Sequence, residues 1–143
     1  MNVDKWMKKH PQTIKPLDTI EHARQVMQEH RINQLPVVRG NEIVGILTDR
    51  DLRDAYPSVL ADPMRKQVPS PHDVKVEAVM TTNVLTMAPD DGIVAAASLM
   101  RRERVGALPI VKGKQLVGIL TRSDLLDALI ALGSLAEAKA GGR

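Results

Sequence analysis

The chain has no cysteine, no phenylalanine and, among 143 residues, two aromatic side chains, Trp6 and Tyr56. Without cysteine there are no disulfides, thiolate zinc sites, iron–sulfur clusters or cysteine nucleophile, and a reducing compartment, the cytoplasm, is the expected location. With aromatics this scarce there is no stacking platform for bases, and the core must be built from Val, Ile, Leu, Met and Ala. No apolar run approaches the ~20 residues needed to cross a bilayer, and Met1–Pro11 has neither the apolar region nor the cleavage site of a signal peptide. A dense basic block is also missing. Twenty Lys and Arg against 17 Asp and Glu give a net charge of +3 and an isoelectric point near 9.4, spread along both halves. That implies weak attraction to anions, not a nucleic-acid arm.

Catalytic patterns are absent as well. There is no P-loop, no dinucleotide-binding glycine fingerprint and no pair of carboxylates suitably spaced with a base, so an enzyme is not expected. Of the four histidines, His22 and His30 stand eight apart on one expected helix and His72 lies in a connector. No H-x-x-x-H metal pair exists, and solvent-exposed histidines are the simpler expectation.

What is present is a duplication. A shift of 73 residues lays LPVVRGNEIVGILTDRDLRDA (Leu35–Ala55) over LPIVKGKQLVGILTRSDLLDA (Leu108–Ala128) without gaps. Upstream, Met7, Thr13, Pro16, Asp18, Ile20, Ala23, Met27 and Arg31 fall on Met80, Thr86, Pro89, Asp91, Ile93, Ala96, Met100 and Arg104. About 22 of roughly 53 aligned positions are identical. Copies this small are marginal alone, so they are expected to pack face to face and share a core. The chain accordingly divides into a first repeat (1–55), a proline-rich connector (56–75), a second repeat (76–132) and a small polar tail (133–143) expected to be frayed or disordered.

Both copies read alike. Thr13–Ile14 and Thr86–Met87 precede a proline closely and suggest a short extended segment. A helix follows, with Asp18 to Glu21 resembling a capping box and Ile20, Ala23 and Met27 at helical spacing; Asp91 begins the second such helix. Two β-rich runs meet across Arg39–Glu42, and again across Lys112–Gln115, as hairpins whose glycines accept a positive φ. Thr48 and Thr121 then open a second helix, which in the second copy runs over Ser123–Leu132 and closes at Gly133. The fold class is α+β, built of two pseudo-symmetric β-α-β-β-α repeats.

The segment Gly45-Ile-Leu-Thr48-Asp-Arg-Asp51, repeated as Gly118-Ile-Leu-Thr121-Arg-Ser-Asp124, joins a strand end to a helix start. Helix N-termini favour anions and hydroxyls. Asp51 and Asp124 lie one turn up, where a carboxylate can accept both hydroxyls of a ribose, and Arg50 and Arg122 can meet phosphate. The same Thr-x-x-Asp pattern is also a plain capping box that needs no ligand, and an arginine on an exposed helix is ordinarily a solvated charge.

The arrangement resembles the cystathionine-β-synthase (CBS) domain pair, or Bateman module, over about Val3–Leu132. The marks are Met7 and Met80, the Leu-Pro-Val-Val and Leu-Pro-Ile-Val runs, and both Gly-x-x-Thr-x-x-Asp segments. The resemblance implies a ligand sensor rather than a catalyst, with two clefts between the repeats that take AMP, ADP, ATP or S-adenosylmethionine as regulatory ligand and no other cofactor or metal. Carried over residue by residue, Asp51 and Asp124 hold ribose hydroxyls, and Thr48 and Thr121 bond ribose or phosphate. The base lies against Lys9, His10, Pro11, Gln34, Leu35 and Pro36 in one cleft and Thr82, Asn83, Val84, Ala107, Leu108 and Pro109 in the other. Phosphates meet Arg50 and Arg122, with Arg31 and Arg104 behind them. Asp49 and Arg122, at matching positions, make the clefts unequal and favour a phosphorylated ligand in the second.

Two functions remain in competition. One is a stand-alone, dimeric CBS pair that binds an adenosine-containing ligand and signals to an effector protein. The other is a ligand-free dimeric scaffold or protein-interaction module. The small faces of the first helices and the apolar stripe Leu125–Leu132 lead us to expect a homodimer. Nucleic acid and membrane are not expected partners.

Overall fold

The computed structural model describes residues 1–56, 70 and 72–141; the connector prolines at 57, 63, 69 and 71 lie outside the described residues. In chain order the elements are a 3-10 turn (Val3–Lys5), β1 (Lys8–Lys9), α1 (Ile20–His30), β2 (Gln34–Arg39), β3 (Glu42–Thr48) and α2 (Asp49–Ala55). A second 3-10 turn (Val76–Ala78), α3 (Ile93–Glu103), β4 (Ala107–Lys112), β5 (Gln115–Thr121) and α4 (Arg122–Gly141) complete the chain. They form two compact units, Gln12–Val84 and Met1–Pro11 with Leu85–Arg143. The repeats are thus exchanged at their ends: the first eleven residues belong to the unit of the second copy, and 76–84 to the unit of the first.

In the unit Gln12–Val84, β2 and β3 form an antiparallel hairpin turning at Gly40, whose φ of +65° suits a residue without Cβ. Leu35 to Val38 are all buried, as expected for a strand covered on both faces. The extended segment expected at Thr13–Ile14 is reduced to a single parallel bridge, Ile14 to Val37. There the Ile14 N–H donates to the Pro36 carbonyl at 3.0 Å and the Val38 N–H to Ile14 at 2.9 Å. Helix α1 buries Ile20, Ala23 and Met27 against Leu35, Val37 and Leu47, which is the core that its spacing predicts.

The cap of α1 is Thr19, whose hydroxyl accepts from the His22 N–H at 3.1 Å, and not Asp18. Asp18 instead accepts from the Lys15 N–H at 2.9 Å, closing the turn that precedes the helix. Two adjacent cap-forming residues competed, and the bond back to the N–H three residues earlier took the first. Asp91 does the same with the Ala88 N–H at 2.8 Å, leaving Gly92 as the cap of α3. Both first helices end on an arginine in the left-handed region, Arg31 at φ 53° and Arg104 at φ 57°, each donating its N–H back into the last turn.

The second unit repeats this plan. The β4–β5 hairpin turns at Gly113 (φ +63°), and Met87 makes the single parallel bridge to Ile110. Within the unit β5 lies between β4 and β1, with Lys8 opposite Ile119 and Lys9 opposite Gly118. Its core joins Val3 to Ile93, Ala96, Met100, Leu108, Ile110, Leu120 and Ala128. Helix α4 does not stop at Gly133 but continues to Gly141, so the expected frayed tail is helical to that point. Ser134–Ala140 (SLAEAKA) is rich in strong helix formers, which outweigh the roughly 1 kcal/mol that one interior glycine costs.

Both hairpins have a glycine pressed by a neighbouring chain. A Cβ on Gly118 would stand 2.6 Å from the Met7 sulfur and 2.9 Å from the Lys8 carbonyl oxygen; on Gly45, 2.6 Å from the Met80 sulfur and 3.1 Å from the Thr81 carbonyl oxygen. Chemical denaturation of Gly118→Ala is expected to show a loss of about 1–3 kcal/mol. Gly45→Ala is expected to lose less, because the unyielding backbone oxygen beside it stands at 3.1 Å where that beside Gly118 stands at 2.9 Å. Gly133→Ala, with nothing within 4 Å, is expected to gain about 0.5–1 kcal/mol.

Between α1 and the end of α2, Glu21 accepts from Arg24 Nη2 at 2.6 Å and from the Tyr56 hydroxyl at 3.3 Å. The Arg24 hydrogen bond leads in holding the Glu21 carboxyl down from its ordinary 4.5 to about 2, while burial and then Glu21 push the Tyr56 phenol up. A carboxyl depressed by folding contributes in full above its unfolded value and loses that contribution as pH falls towards its folded one. Glu21→Gln is therefore expected to be less stable than the wild type at pH 7, with the gap closing between about pH 4.5 and 2. Urea titrations across that range measure it.

Candidate functional site

The two strand-to-helix junctions share one bond, from the threonine N–H to the aspartate carboxylate one turn on. Thr48 ends β3 and caps α2: its hydroxyl accepts from the Asp51 N–H at 3.2 Å, and the Asp51 carboxylate accepts from the Thr48 N–H at 2.9 Å. The capping-box reading of the sequence is thus present in full, and it occupies one carboxylate oxygen, Oδ2. The other, Oδ1, faces the Thr81 hydroxyl at 3.4 Å, the long limit of a hydrogen bond. Asp51 is half-buried.

At the second junction Asp124 Oδ2 accepts from the Thr121 N–H at 2.7 Å and from the Thr121 hydroxyl at 3.1 Å. Its Oδ1 accepts from Lys8 Nζ at 2.6 Å, and the same ammonium lies 3.3 Å from Thr121 Oγ1. Asp124 is 4% exposed and is the one buried charged residue among the described residues. Lys8 was not among the residues that the sequence singled out. Nothing in its local surroundings marks it, because its approach to Asp124 follows from the pairing of β1 with β5.

The remaining expected residues divide between the units. Gln34, opposite Thr48 in the hairpin, is half-buried and Pro36 is buried; Asn83 (exposed) and Val84 (half-buried) follow Thr81 in the same unit as Asp51. His10, exposed and at φ 54°, and Pro11 follow β1 in the unit of Asp124, where Ala107 and Pro109 are buried on β4. Within a unit, then, His10 and Pro11 accompany Asp124, and Asn83 and Val84 accompany Asp51.

Arg50 is exposed and lines neither of two surface grooves that run between the helices of each unit. Arg122 does line one. Its guanidinium carbon lies 3.6 Å from where a Cβ on Gly106 would stand, beside a groove of about 530 Å³ shared with Arg101 and Arg104. The matching groove of the other unit, about 390 Å³, has Asp49 in place of Arg122 and Gln28 in place of Arg101. Asp49 faces Arg53 at 3.8 Å. The charge difference read from the sequence is therefore on the surface of both units. No group of three or more potential metal ligands, and no helix long and apolar enough to cross a membrane, occurs among the described residues.

The chain is similar to known proteins in sequence and in fold. The family model of the CBS domain matches the chain twice, over residues 3–58 and 76–131. A CBS domain-containing protein of Dictyostelium discoideum is 38% identical over 131 residues, 90% of either chain. The inosine-5'-monophosphate dehydrogenase of Korarchaeum cryptofilum is 32% identical, but the matched region is 21% of that enzyme's length. Among solved structures, the protein AcuB of Vibrio cholerae superposes with a TM-score of 0.81 at 31% identity, covering 96% of both chains. The CBS domain pair of protein MJ0100, in complex with 5'-methylthioadenosine and S-adenosyl-L-methionine, has a TM-score of 0.75 at 26% identity and covers 92% of this chain and 97% of that one. The chain belongs to the CBS domain family, and it carries that domain twice.

Proposed function

We propose that this CBS pair is a cytoplasmic regulatory module that binds an adenosine-containing ligand, such as AMP, ADP, ATP or S-adenosylmethionine, and passes its state to a partner protein. The observation that carries the reading is the Asp51 carboxylate at a helix start. One oxygen is fixed by the Thr48 N–H at 2.9 Å, and the other has, among the described residues, only the Thr81 hydroxyl at 3.4 Å. A carboxylate oriented by its own helix, with acceptor capacity in reserve, suits a ribose diol. The adenosyl ligands of the MJ0100 pair support this choice of ligand class. With scarce aromatics, the base is held by aliphatic and backbone groups around Gln34, Pro36, Asn83 and Val84 for Asp51, and around His10, Pro11, Ala107 and Pro109 for Asp124. Thr48 and Thr121 bond ribose or phosphate, and Arg50 and Arg122 supply charge for phosphate. The module senses rather than catalyses.

A second reading, a ligand-free dimeric scaffold, is favoured by the reciprocal Thr48–Asp51 cap, which is complete without a ligand. A thermal-unfolding series with the four ligands on wild type, Asp51→Ala and Asp124→Ala separates the two. Binding at 100 times Kd adds about 2.7 kcal/mol, several degrees for a chain of this size. The sensor reading expects a shift that one substitution abolishes. The scaffold reading expects no shift, and from each substitution only the ~0.5–2 kcal/mol of a lost cap.

Both readings include a homodimer. Leu126, Leu129 and Ile130 of α4 are 59%, 63% and 65% exposed, a contiguous apolar face of the kind that a second copy covers. Leu129→Glu with Ile130→Glu is expected to convert a dimer to monomer in sedimentation analysis without loss of helical signal.

A further inference from the structure

The two helix-start carboxylates sit in the same backbone frame, yet they do not meet the same neighbour. Lys8 and Thr81 are equivalent residues of the duplication, each following a methionine that packs on a glycine, Met7 on Gly118 and Met80 on Gly45. Both are held against the strand that leads into the helix. Lys8 lies opposite Ile119 in β5, and Thr81 exchanges backbone hydrogen bonds of 2.9 Å with Ile46 in β3. Position is therefore common to both, and only the side chain differs.

At Asp51 the residue in this place is a neutral hydroxyl at 3.4 Å. At Asp124 it is an ammonium at 2.6 Å. A charge-assisted bond is roughly twice as strong as a neutral one, and a long neutral one is weaker still. Counting acceptors completes the contrast. Asp124 has both oxygens engaged by three donors, with the residue 4% exposed. A diol arriving there must displace the Lys8 ammonium and break its charge-assisted bond, the 56% exposed lysine side chain then returning to water. A diol at Asp51 displaces one weak contact from an exposed threonine, which water replaces.

We infer that Lys8 is the specificity-determining residue of the pair: by occupying Asp124 it reserves that carboxylate and leaves Asp51 as the one that accepts a ligand diol. The inference rests on the adenosine reading above and adds which aspartate serves and what decides it.

Titration calorimetry with AMP, ADP, ATP and S-adenosylmethionine tests it on wild type and on the exchange variants Lys8→Thr and Thr81→Lys. Lys8→Thr/Asp124→Asn and Asp51→Ala complete the set, and folding of each is checked by circular dichroism. The wild type is expected to bind one ligand per chain, lost in Asp51→Ala. Lys8→Thr is expected to gain a second site, at least tenfold tighter at Asp124 than in the wild type, which disappears in Lys8→Thr/Asp124→Asn. Thr81→Lys is expected to weaken the wild-type site at least tenfold. A Lys8→Thr protein that keeps one site, or binds more weakly because Lys8 itself holds the ligand, overturns the assignment while leaving the adenosine reading in place. Absence of binding to every folded variant, Lys8→Thr included, overturns the adenosine reading and the assignment with it.

Discussion

Two glycines allow a second stretch of backbone to lie directly on the strand that feeds each junction helix. At Gly118 the chain around Met7 and Lys8 comes so close that a single added carbon has no room; at Gly45 the chain around Met80 and Thr81 does the same. In a strand every other position presents a side chain to a given face, so this approach is possible only where one is missing. The consequences are not local. Through it β1 becomes a neighbour of β5, the first eleven residues join the unit of the second copy, and the residue after the methionine is delivered to the carboxylate of the helix start.

In the proposed function that carboxylate has two duties performed by the same atoms. One oxygen satisfies a backbone N–H that the helix N-terminus would otherwise leave without an intrahelical partner, and this also fixes where the other oxygen points. Structural and functional readings of Thr-x-x-Asp are therefore not exclusive. The cap orients the group that the proposed ligand would meet, at no further cost in side-chain entropy, since the rotamer is already chosen. It follows that stability and ligand response must be measured together on any aspartate substitution, because neither alone distinguishes the two duties.

Much of this was legible in the sequence. Two aligned copies of a hairpin and two helices, the positive-φ glycines at 40 and 113, the Leu-Pro strands and the Thr–Asp junctions all follow from periodicity, turn chemistry and repetition. What could not be read depends on competition or on distance along the chain. Asp18 and Thr19 are both good caps, and the choice between them turns on the Lys15 N–H that Asp18 can reach. Gly133 is a common helix terminator, but here helix-favouring residues lie beyond it and carry α4 to Gly141. The Lys8–Asp124 pair spans 116 positions. An alignment of the copies shows Lys8 against Thr81 but not that either touches an aspartate, which requires the exchange of the repeat ends.

With backbone frames this alike, the helix starts of the two copies differ in the side chains around them, and these do not all act in one direction. A count of charge around the helix starts sets Asp49 against Arg122 and places anion affinity at α4. Lys8 strengthens that tendency by neutralising Asp124, and Arg101 and Arg104 line the same groove as Arg122. Yet the same neutralisation occupies the acceptor that a diol needs. Attraction for phosphate and capacity for ribose hydroxyls, which a single nucleotide-binding site would combine, are thus favoured at different helix starts. The duplication supplied two equal junctions, and substitution at matching positions has given one of them the stronger positive field and left the other the more available carboxylate.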